Sequence, residues 1–277
     1  MHTNFQKAFQ HGYTSQLDMS YYDSQTVTIF IIEIGSLVLP SGKIVVQDPG
    51  NPTSKRYCLQ KTIEPGNYPV FLSLACCEPA EDCIITCAKI QISEASPAKW
   101  QMAVSDDVQY PSSTYDVDSG TACFMDFETA LFIKQAAFSH ERTDIVHPLN
   151  DFCLECEDDY IQGIFLREMT EKMNENGKTI LESIPWNLKR FAWANLFLKE
   201  LTAFNTIPDR YSIRKPDTNI VAFGAGWGEG EDYSSYWGFD KNGKVCCLVT
   251  DFFVFFEKYL EHGEFHERPD IVCDDDN

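Results

Sequence analysis

Apolar runs separated by Pro, Gly and Asn dominate both ends of the chain. Val27–Ile34 is β-branched and almost continuously apolar, which is typical of a strand buried on both faces. Tyr68–Ala75 and Cys83–Ile92 flank a polar segment and predict a hairpin. A second hairpin is predicted around Asn242 and Gly243, because Asn-Gly favours a type I′ turn. These patterns indicate antiparallel strands before and after the middle of the chain.

The middle of the chain follows a helical period instead. Tyr160, Ile164 and Met169 recur at helical spacing, and Trp186–Phe204 carries a second apolar stripe after a proline. Strands, then helices, then strands predict an α+β fold. In this fold the N- and C-terminal segments build a mostly antiparallel β-sheet, and the helices are inserted between about residues 155 and 205.

The length of the chain, 277 residues, fits one large domain or two modest ones. We expect a single domain over residues 1–277, because strands from both ends would pair. Its parts would be an N-terminal segment (1–25), a core (26–256) and an acidic C-terminal tail (257–277).

The charge balance changes which partners we expect. The chain has 22 basic and 42 acidic residues, a formal net charge of −20. Such a surface repels nucleic-acid phosphates and anionic lipids, so we expect no direct binding to nucleic acid or membranes. The charge has two explanations: solubility, or attraction of a basic protein partner.

The cysteines and the N-terminal residues predict a cytoplasmic protein. Eleven cysteines are an odd number, in a chain too long for a small disulfide framework. The opening MHTNFQKAFQHGY lacks the apolar core of a secretory leader. We therefore expect reduced thiols. Val27–Leu39 is too short for a membrane span and contains Glu33.

Glycines alternate through a loop near the C-terminal strands, at Gly224, Gly226, Gly228 and Gly230. Glycine tolerates positive φ and close backbone approach, so we expect something to lie close to this backbone. Acidic and aromatic residues crowd the same region and a second motif upstream. Together they form the candidate binding set: Asp118, Gly120, Asp126, Gly226, Trp227, Gly228, Glu229, Gly230, Tyr236, Trp237, Asp240 and Asp251.

The carboxylates of this set suggest a metal site. Hard cations such as Mg²⁺ or Ca²⁺ take several carboxylate oxygens, and Asp118, Asp126 and Glu229 could supply them for metal-assisted hydrolysis. No histidine lies in either motif to act as a base. The alternative is structural, since Asp126 and Asp240 could equally be turn residues or helix caps.

Two further features have both a functional and a structural interpretation. Cys153 and Cys156 form a CxxC that could bind zinc, although no second pair stands at finger spacing; buried, reduced thiols explain it as well. Trp227, Tyr236 and Trp237 could present an aromatic recognition surface or could cover the core.

Seven short segments form an ordered series: LPSGKIVVQDP (Leu39–Pro49), EPGNYPV (Glu64–Val70), KWQMAV (Lys99–Val104), DVDSGTACFMD (Asp116–Asp126), GAGWGEG (Gly224–Gly230), YWGFD (Tyr236–Asp240) and LVTDF (Leu248–Phe252). This series resembles a bacterial family catalogued as domain of unknown function 4241, from about Leu37 to Phe256. The resemblance implies a single intracellular domain without an established activity. The family tends to carry Asp where this chain has Glu229, and a catalytic aspartate would seldom tolerate that change. The departure favours a backbone role for the glycines.

Two functions are compatible with these patterns. The first is a cytoplasmic acidic binding protein without a cofactor, of the inhibitor or immunity type, that binds a basic protein partner. The alternative is a hydrolase that depends on a divalent metal held by Asp118, Asp126 and Glu229.

Overall fold

The structure of the protein is a computed structural model, described over residues 3–17, 25–48, 58–77, 83–107, 111–117, 120–132, 194–197, 217–226 and 231–255. Within these ranges one short helix, α1 (Phe5–Ala8), precedes thirteen strands: β1 (Thr14–Leu17), β2 (Gln25–Leu39), β3 (Lys43–Gln47), β4 (Cys58–Thr62), β5 (Gly66–Cys77), β6 (Cys83–Gln91), β7 (Lys99–Met102), β8 (Thr114–Val117), β9 (Thr121–Asp126), β10 (Ala194–Phe197), β11 (Asn219–Gly224), β12 (Glu231–Phe239) and β13 (Val245–Asp251). Residues 127–132 are also helical.

The strands form two antiparallel sheets. The larger sheet has the order β1-β2-β5-β6-β13-β12-β7, with β8 also paired to β12, and it curls into a half-barrel. The smaller sheet has the order β10-β11-β9-β3-β4. β6 pairs with β13 and β9 pairs with β11, so each sheet combines early and late parts of the chain. The prediction of a mostly antiparallel sheet built from both ends of the chain is confirmed.

The core lies between the two sheets and is rich in aromatic side chains. Phe124 and Phe223 of the smaller sheet stack with ring centroids 5.0 Å apart. Phe223 reaches Phe252 at 6.1 Å, and Phe252 meets Tyr233 of the larger sheet edge-on at 4.9 Å. All four rings are fully buried. Each such pair adds about 0.5–1.5 kcal/mol beyond the area it buries, so this row of rings helps to hold the sheets together.

A buried amide side chain also joins the sheets. Asn219, the first residue of β11, is completely buried. Its Oδ1 accepts a hydrogen bond from the backbone N–H of Val38 at 2.8 Å, and its Nδ2 donates to the carbonyl of Ser36 at 2.7 Å. Both partners belong to β2 in the larger sheet. Asn219 therefore satisfies backbone groups of one sheet from the end of the other.

The two predicted hairpins are confirmed. β5 pairs with β6, and β12 pairs with β13 around the Asn242-Gly243 turn. Gly243 has φ of 76°, a conformation that glycine adopts without steric cost. The predicted type I′ turn is wrong, because Asn242 does not have positive φ. The N–H of Gly243 donates to the carbonyl of Asp240 at 3.0 Å, so the turn is centred on Lys241 and Asn242 and Gly243 follows it.

Helices contribute little to the described part of the chain. α1 begins after Asn4, whose side chain accepts a hydrogen bond from the N–H of Lys7 at 3.3 Å as an N-cap. The helix over residues 127–132 begins after Asp126. In the ranges that the structure describes, no helix is long and apolar enough to cross a membrane.

The helices predicted between 155 and 205 fall mostly outside the described residues. Where the two overlap, the prediction is wrong, because Ala194–Phe197 forms strand β10 within the stripe Trp186–Phe204. β10 pairs with β11 in register Ala194 to Ala222. Backbone pairing with a sheet edge has overridden the helical spacing of the local sequence.

The sequence also predicts a third hairpin, with Leu37–Leu39 and Lys43–Val46 on either side of Pro40-Ser41-Gly42, and this prediction is wrong. The turn occurs, but it does not close a hairpin. β2 pairs with β1 and β5, whereas β3 pairs with β4 and β9. The chain therefore leaves one sheet at this turn and enters the other. A turn signal predicts that the chain changes direction; it does not predict the partner of the next strand.

One pair of cysteines corrects the expectation of reduced thiols. Cys76 and Cys83 are register partners in the β5–β6 hairpin, with Cα atoms 4.1 Å apart, and they form a disulfide. Direct opposition on neighbouring strands brings the two sulfur atoms within bonding distance. Six other described cysteines form no disulfide: Cys58, Cys77, Cys87, Cys123, Cys246 and Cys247.

Candidate functional site

The two motifs singled out in the sequence lie side by side. β9 and β11 are antiparallel neighbours with Thr121 opposite Gly224, and just beyond this pair the N–H of Ala225 donates to the carbonyl of Gly120 at 2.9 Å. The strand before β9 and the strand after β11, which are β8 and β12, pair with each other in the larger sheet. The fold thus brings the start of the GAGWGEG loop next to Gly120.

Two aspartates lie opposite each other in the β8–β12 pair of the larger sheet. In the β8–β12 pair, Asp116 is the register partner of Asp232, and Val117 is the partner of Glu231. The side chains of Asp116 and Asp232 are both exposed. We call the paired segments 116–117 and 231–232 the acidic rim.

The acidic rim continues the two predicted motifs along the sequence. Asp118 follows one of its segments directly, and Glu229 precedes the other by two residues. Sequence reasoning missed Asp116 and Asp232 as a pair, because their opposition depends on the register of β8 against β12. The sequence feature that could have indicated the pair is the close spacing of acidic residues in DVD (Asp116–Asp118) and GEGED (Gly228–Asp232).

The close approach expected at the glycine loop is made by the protein itself. Gly226 has φ of 27°, in the region that side chains rarely adopt. A Cβ atom at this position would lie 2.5 Å from the Cβ of Phe252. Gly226 is therefore required for packing against the end of β13, which supports a backbone role for this glycine.

Asp126 occupies the opposite end of β9 and is held by hydrogen bonds. Its Oδ2 accepts from the backbone N–H of Ser41 at 3.0 Å and from the Ser41 hydroxyl at 2.7 Å, while its Oδ1 accepts from the N–H of Glu128 at 2.8 Å. Burial raises the pKa of Asp126, and these hydrogen bonds partly oppose the rise. The carboxylate joins the β2–β3 turn to the start of the next helix.

Of the predicted metal trio, only Asp126 lies in the described residues. It is five residues from Thr121 along β9, which corresponds to about 17 Å in an extended strand. Asp126 acts as a turn clamp and helix cap, the structural alternative raised by the sequence.

Asp240 has a similar structural role at the tip of the β12–β13 hairpin. Its Oδ1 accepts from the N–H of Asn242 at 2.8 Å and from the N–H of Lys244 at 2.9 Å. The hydrogen bond from Lys244 lowers the pKa of Asp240 most, followed by those from Asn242. This carboxylate stabilises the turn, and the length of β13 separates it from Asp251.

Asp251 is a buried acid at the end of β13. Its side chain is 2% exposed, and its Oδ1 accepts from the N–H of Phe253 at 3.0 Å. The Cys87 thiol lies 4.0 Å from the same oxygen. Burial raises the pKa of Asp251 to about 6, because the charged form loses its hydration.

Two of the three candidate aromatic residues belong to the core. Tyr236 is 8% exposed and Trp237 is 2% exposed, so neither presents a free recognition surface. Tyr236 packs on Phe5, with ring centroids 5.2 Å apart. The interpretation of these two rings as a cover of the core is the one that fits.

A buried amide side chain in the smaller sheet is a further residue that the sequence patterns did not identify. Gln47, the last residue of β3, lies opposite Cys123 of β9, whose thiol donates to the Gln47 carbonyl at 3.3 Å. Its side chain is 1% exposed, and in the described structure neither Nε2 nor Oε1 has a hydrogen-bond partner. A buried amide without hydrogen-bond partners lowers the stability of the fold. The sequence around Gln47 indicates only the end of a strand, so it does not predict this feature.

The remaining predicted site residues lie outside the described ranges, and their roles stay predictions. Within those ranges, no group of three or more His, Cys, Asp or Glu side chains could hold a metal ion. The residues outside are Asp118, Trp227, Gly228, Glu229, Gly230, Cys153 and Cys156.

The fold defines an antiparallel two-sheet protein, and the described part of the chain places two exposed aspartates opposite each other at the acidic rim. The family comparison assigns the chain more narrowly. A family model matches residues 37–250, and the chain belongs to this family, DUF4241, proteins of unknown function. No curated protein matches the chain, and no solved structure matches it either.

Proposed function

We propose that the chain is an acidic binding protein that accepts a basic protein partner at the acidic rim. The observation that supports this most is the register that sets Asp116 directly opposite Asp232, with both side chains exposed. Like charges opposite each other destabilise a strand pair by roughly 0.2–1 kcal/mol. Because both carboxylates are exposed on the same strand pair, one cationic side chain from a partner could contact both of them.

The overall charge supports the same proposal at longer range. A net charge of −20 attracts a basic protein and accelerates its encounter with the chain. An inhibitor or immunity-type protein, which blocks a basic enzyme by binding it, is the role that this charge suits best. Such a protein needs no cofactor and no catalytic residues of its own.

We also propose that the protein is located in the cytoplasm, and the cysteines support this location only in part. Six described cysteines form no disulfide, as in a reducing compartment. The Cys76–Cys83 disulfide favours an oxidising compartment, because such bonds are rare in cytosolic proteins.

The test uses a fluorescent nona-lysine peptide as the probe. Its affinity is measured by anisotropy between about 20 and 200 mM NaCl, a range over which screening changes strongly. We compare the wild type with Asp116→Asn/Asp232→Asn and with a control, Glu33→Gln/Glu94→Gln. Both variants remove two exposed negative charges, but the control charges lie in other parts of the chain.

The proposal predicts binding that weakens with salt, and a rim variant that binds about 3–10-fold more weakly than the control at the lowest salt. If the wild type does not bind the peptide at low salt, the basic-partner proposal is wrong. If both variants lose affinity equally, the general charge attracts the peptide and the rim is not the contact.

The alternative, a metal-dependent hydrolase, has less support. Both oxygens of Asp126 already accept hydrogen bonds from Ser41 and Glu128, so this carboxylate would have to give up protein donors to bind a metal. A divalent cation at the rim could also offset the carboxylate repulsion. Competition by MgCl₂ or CaCl₂ that exceeds the effect of NaCl at equal ionic strength would favour this alternative over a protein partner.

A further inference from the structure

An N-terminal segment crosses the full width of the larger sheet. We call residues 3–13 the strap. At one edge its Phe5 ring packs on Trp100 of β7 and Tyr236 of β12, with centroids 4.6 and 5.2 Å apart. At the other edge the backbone of the strap donates to the carbonyl of Ile29 in β2 at 2.8 Å. The strap thus contacts an edge strand, β7, and a strand next to the opposite edge, β2.

The middle of the strap contacts the central strands. The carbonyl of Ala8 accepts a hydrogen bond from the hydroxyl of Ser73 in β5. The ring of Phe9 lies 4.5 Å from the Nζ of Lys89 in β6. These contacts continue the path from β12 towards β2.

The strap covers the face that points away from the smaller sheet. Ser235 points inwards, since it shares a cleft with Val46 of β3. Its neighbours Ser234 and Tyr236 therefore point outwards, because side chains alternate along a strand. Asp251 is the register partner of Ser234 and lies on the same outer face.

Asp251 is buried next to the strap. Thr3, 5% exposed, lies close enough to lower the pKa of Asp251, although its hydroxyl has no hydrogen bond of ordinary length in the described structure. Burial is the larger effect and raises the pKa to about 6. Strand β13 thus places an ionisable group under the start of the strap.

The groups that face Asp251 do not neutralise its charge. Burial raises the pKa values of Cys87 on β6 and Tyr236 on β12, and the Asp251 carboxylate raises them further, so both stay neutral. Lys89, the next outward-facing residue on β6, lies between the rings of Phe9 and Phe71. Burial lowers the pKa of Lys89.

The strap also lies outside the part of the chain that the family model matches, which begins at residue 37. The family core therefore includes Asp251's neighbours on the sheet but not the segment that covers them. We propose that the strap is an acid-tightened cover, which closes over the sheet while Asp251 is protonated and loosens when that carboxyl ionises.

The direction follows from proton linkage. An acid whose pKa is higher in the closed state than in the open state favours closure at low pH, and this preference is lost as the pH rises to the higher value. With a closed-state pKa of about 6 and an open-state pKa near 3.8, the opening equilibrium rises about tenfold between pH 5 and pH 7. This range stays above the sequence pI of about 4.6.

Hydrogen exchange of the full chain tests the proposal. We measure the strap amides of Ala8 and Gly12, which donate to Asn4 and Ile29, and correct for the intrinsic rate at each pH. Amides of β5 and β6 serve as the reference for global unfolding. Wild-type strap protection should fall about tenfold from pH 5 to pH 7, while the reference amides change less.

Three variants identify the titrating group. Asp251→Asn should make strap protection independent of pH, and Asp240→Asn, at an exposed turn, should leave the wild-type dependence intact. His11 needs its own control, because its Nδ1 accepts from the N–H of Ile31 at 3.2 Å and so joins the strap to β2. His11→Gln should leave the wild-type pH dependence intact.

Two results would overturn the proposal. One is strap protection that does not change between pH 5 and pH 7, in the wild type and in the His11→Gln variant. The other is an Asp251→Asn protein with the same pH dependence as the wild type. The first result decides the question even if Asp251→Asn does not fold.

Discussion

The two ends of β9 use acidic residues in opposite ways. At one end Asp126 is buried, and its two oxygens accept three hydrogen bonds from Ser41 and Glu128. Near the other end Asp116 and Asp232 are exposed and face each other across a strand pair. A buried carboxylate that accepts three hydrogen bonds contributes to folding, whereas an exposed carboxylate remains accessible to another molecule. The first end of β9 therefore has a structural role, and binding is the role that we propose for the second.

The largest effect is expected at the structural end. Asp126→Ala removes a buried carboxylate that accepts three hydrogen bonds, and it leaves the part-buried donors of Ser41 and Glu128 without this acceptor. We expect the free energy of unfolding to fall by about 3–5 kcal/mol in urea denaturation. Asp126→Asn, which keeps one carbonyl oxygen, should cost less. A loss below about 1 kcal/mol for the alanine variant would show that this end is not a structural clamp.

A smaller effect is expected at Gly226, next to the acidic rim. A methyl group there would lie 2.5 Å from the Cβ of Phe252, and φ is 27°. We expect Gly226→Ala to lower the free energy of unfolding by about 2–3 kcal/mol. Gly243→Ala is the matched control, because it also has positive φ but meets no atom within 4 Å, and it should cost about 1 kcal/mol. Equal losses would mean that contact with Phe252 does not explain the glycine.

The hairpins could be predicted from the sequence because their signals are local. Asn242-Gly243 fixes a turn, and the flanking β-branched runs supply the strands. β10 could not be predicted in this way. Its four residues lie in a stripe with helical spacing, and their strand conformation depends on pairing with β11, which is distant in the sequence.

The candidate site could be predicted only in part, for the same reason. The motifs around Gly120 and Gly226 were found from their glycines and acids, and they do lie side by side. The opposition of Asp116 and Asp232 follows from strand register, which no local pattern contains. The hydrogen bonds of Asp126 to Ser41 and Glu128 could not be predicted either, because they depend on how the turn before β3 packs against the end of β9.

The smallest expected effect tests the central claim most directly. If the acidic rim serves binding and not folding, Asp116→Asn/Asp232→Asn removes a repulsion and raises the free energy of unfolding. We expect a gain of roughly 0.2–1 kcal/mol at low salt that disappears as salt is added. The measurement is urea denaturation of this variant beside Glu33→Gln/Glu94→Gln, which corrects for the general loss of charge. A gain over the control supports the division of β9 into a structural end and a binding end. A loss of about 1 kcal/mol or more relative to the control would contradict it, because the rim acids would then stabilise the fold.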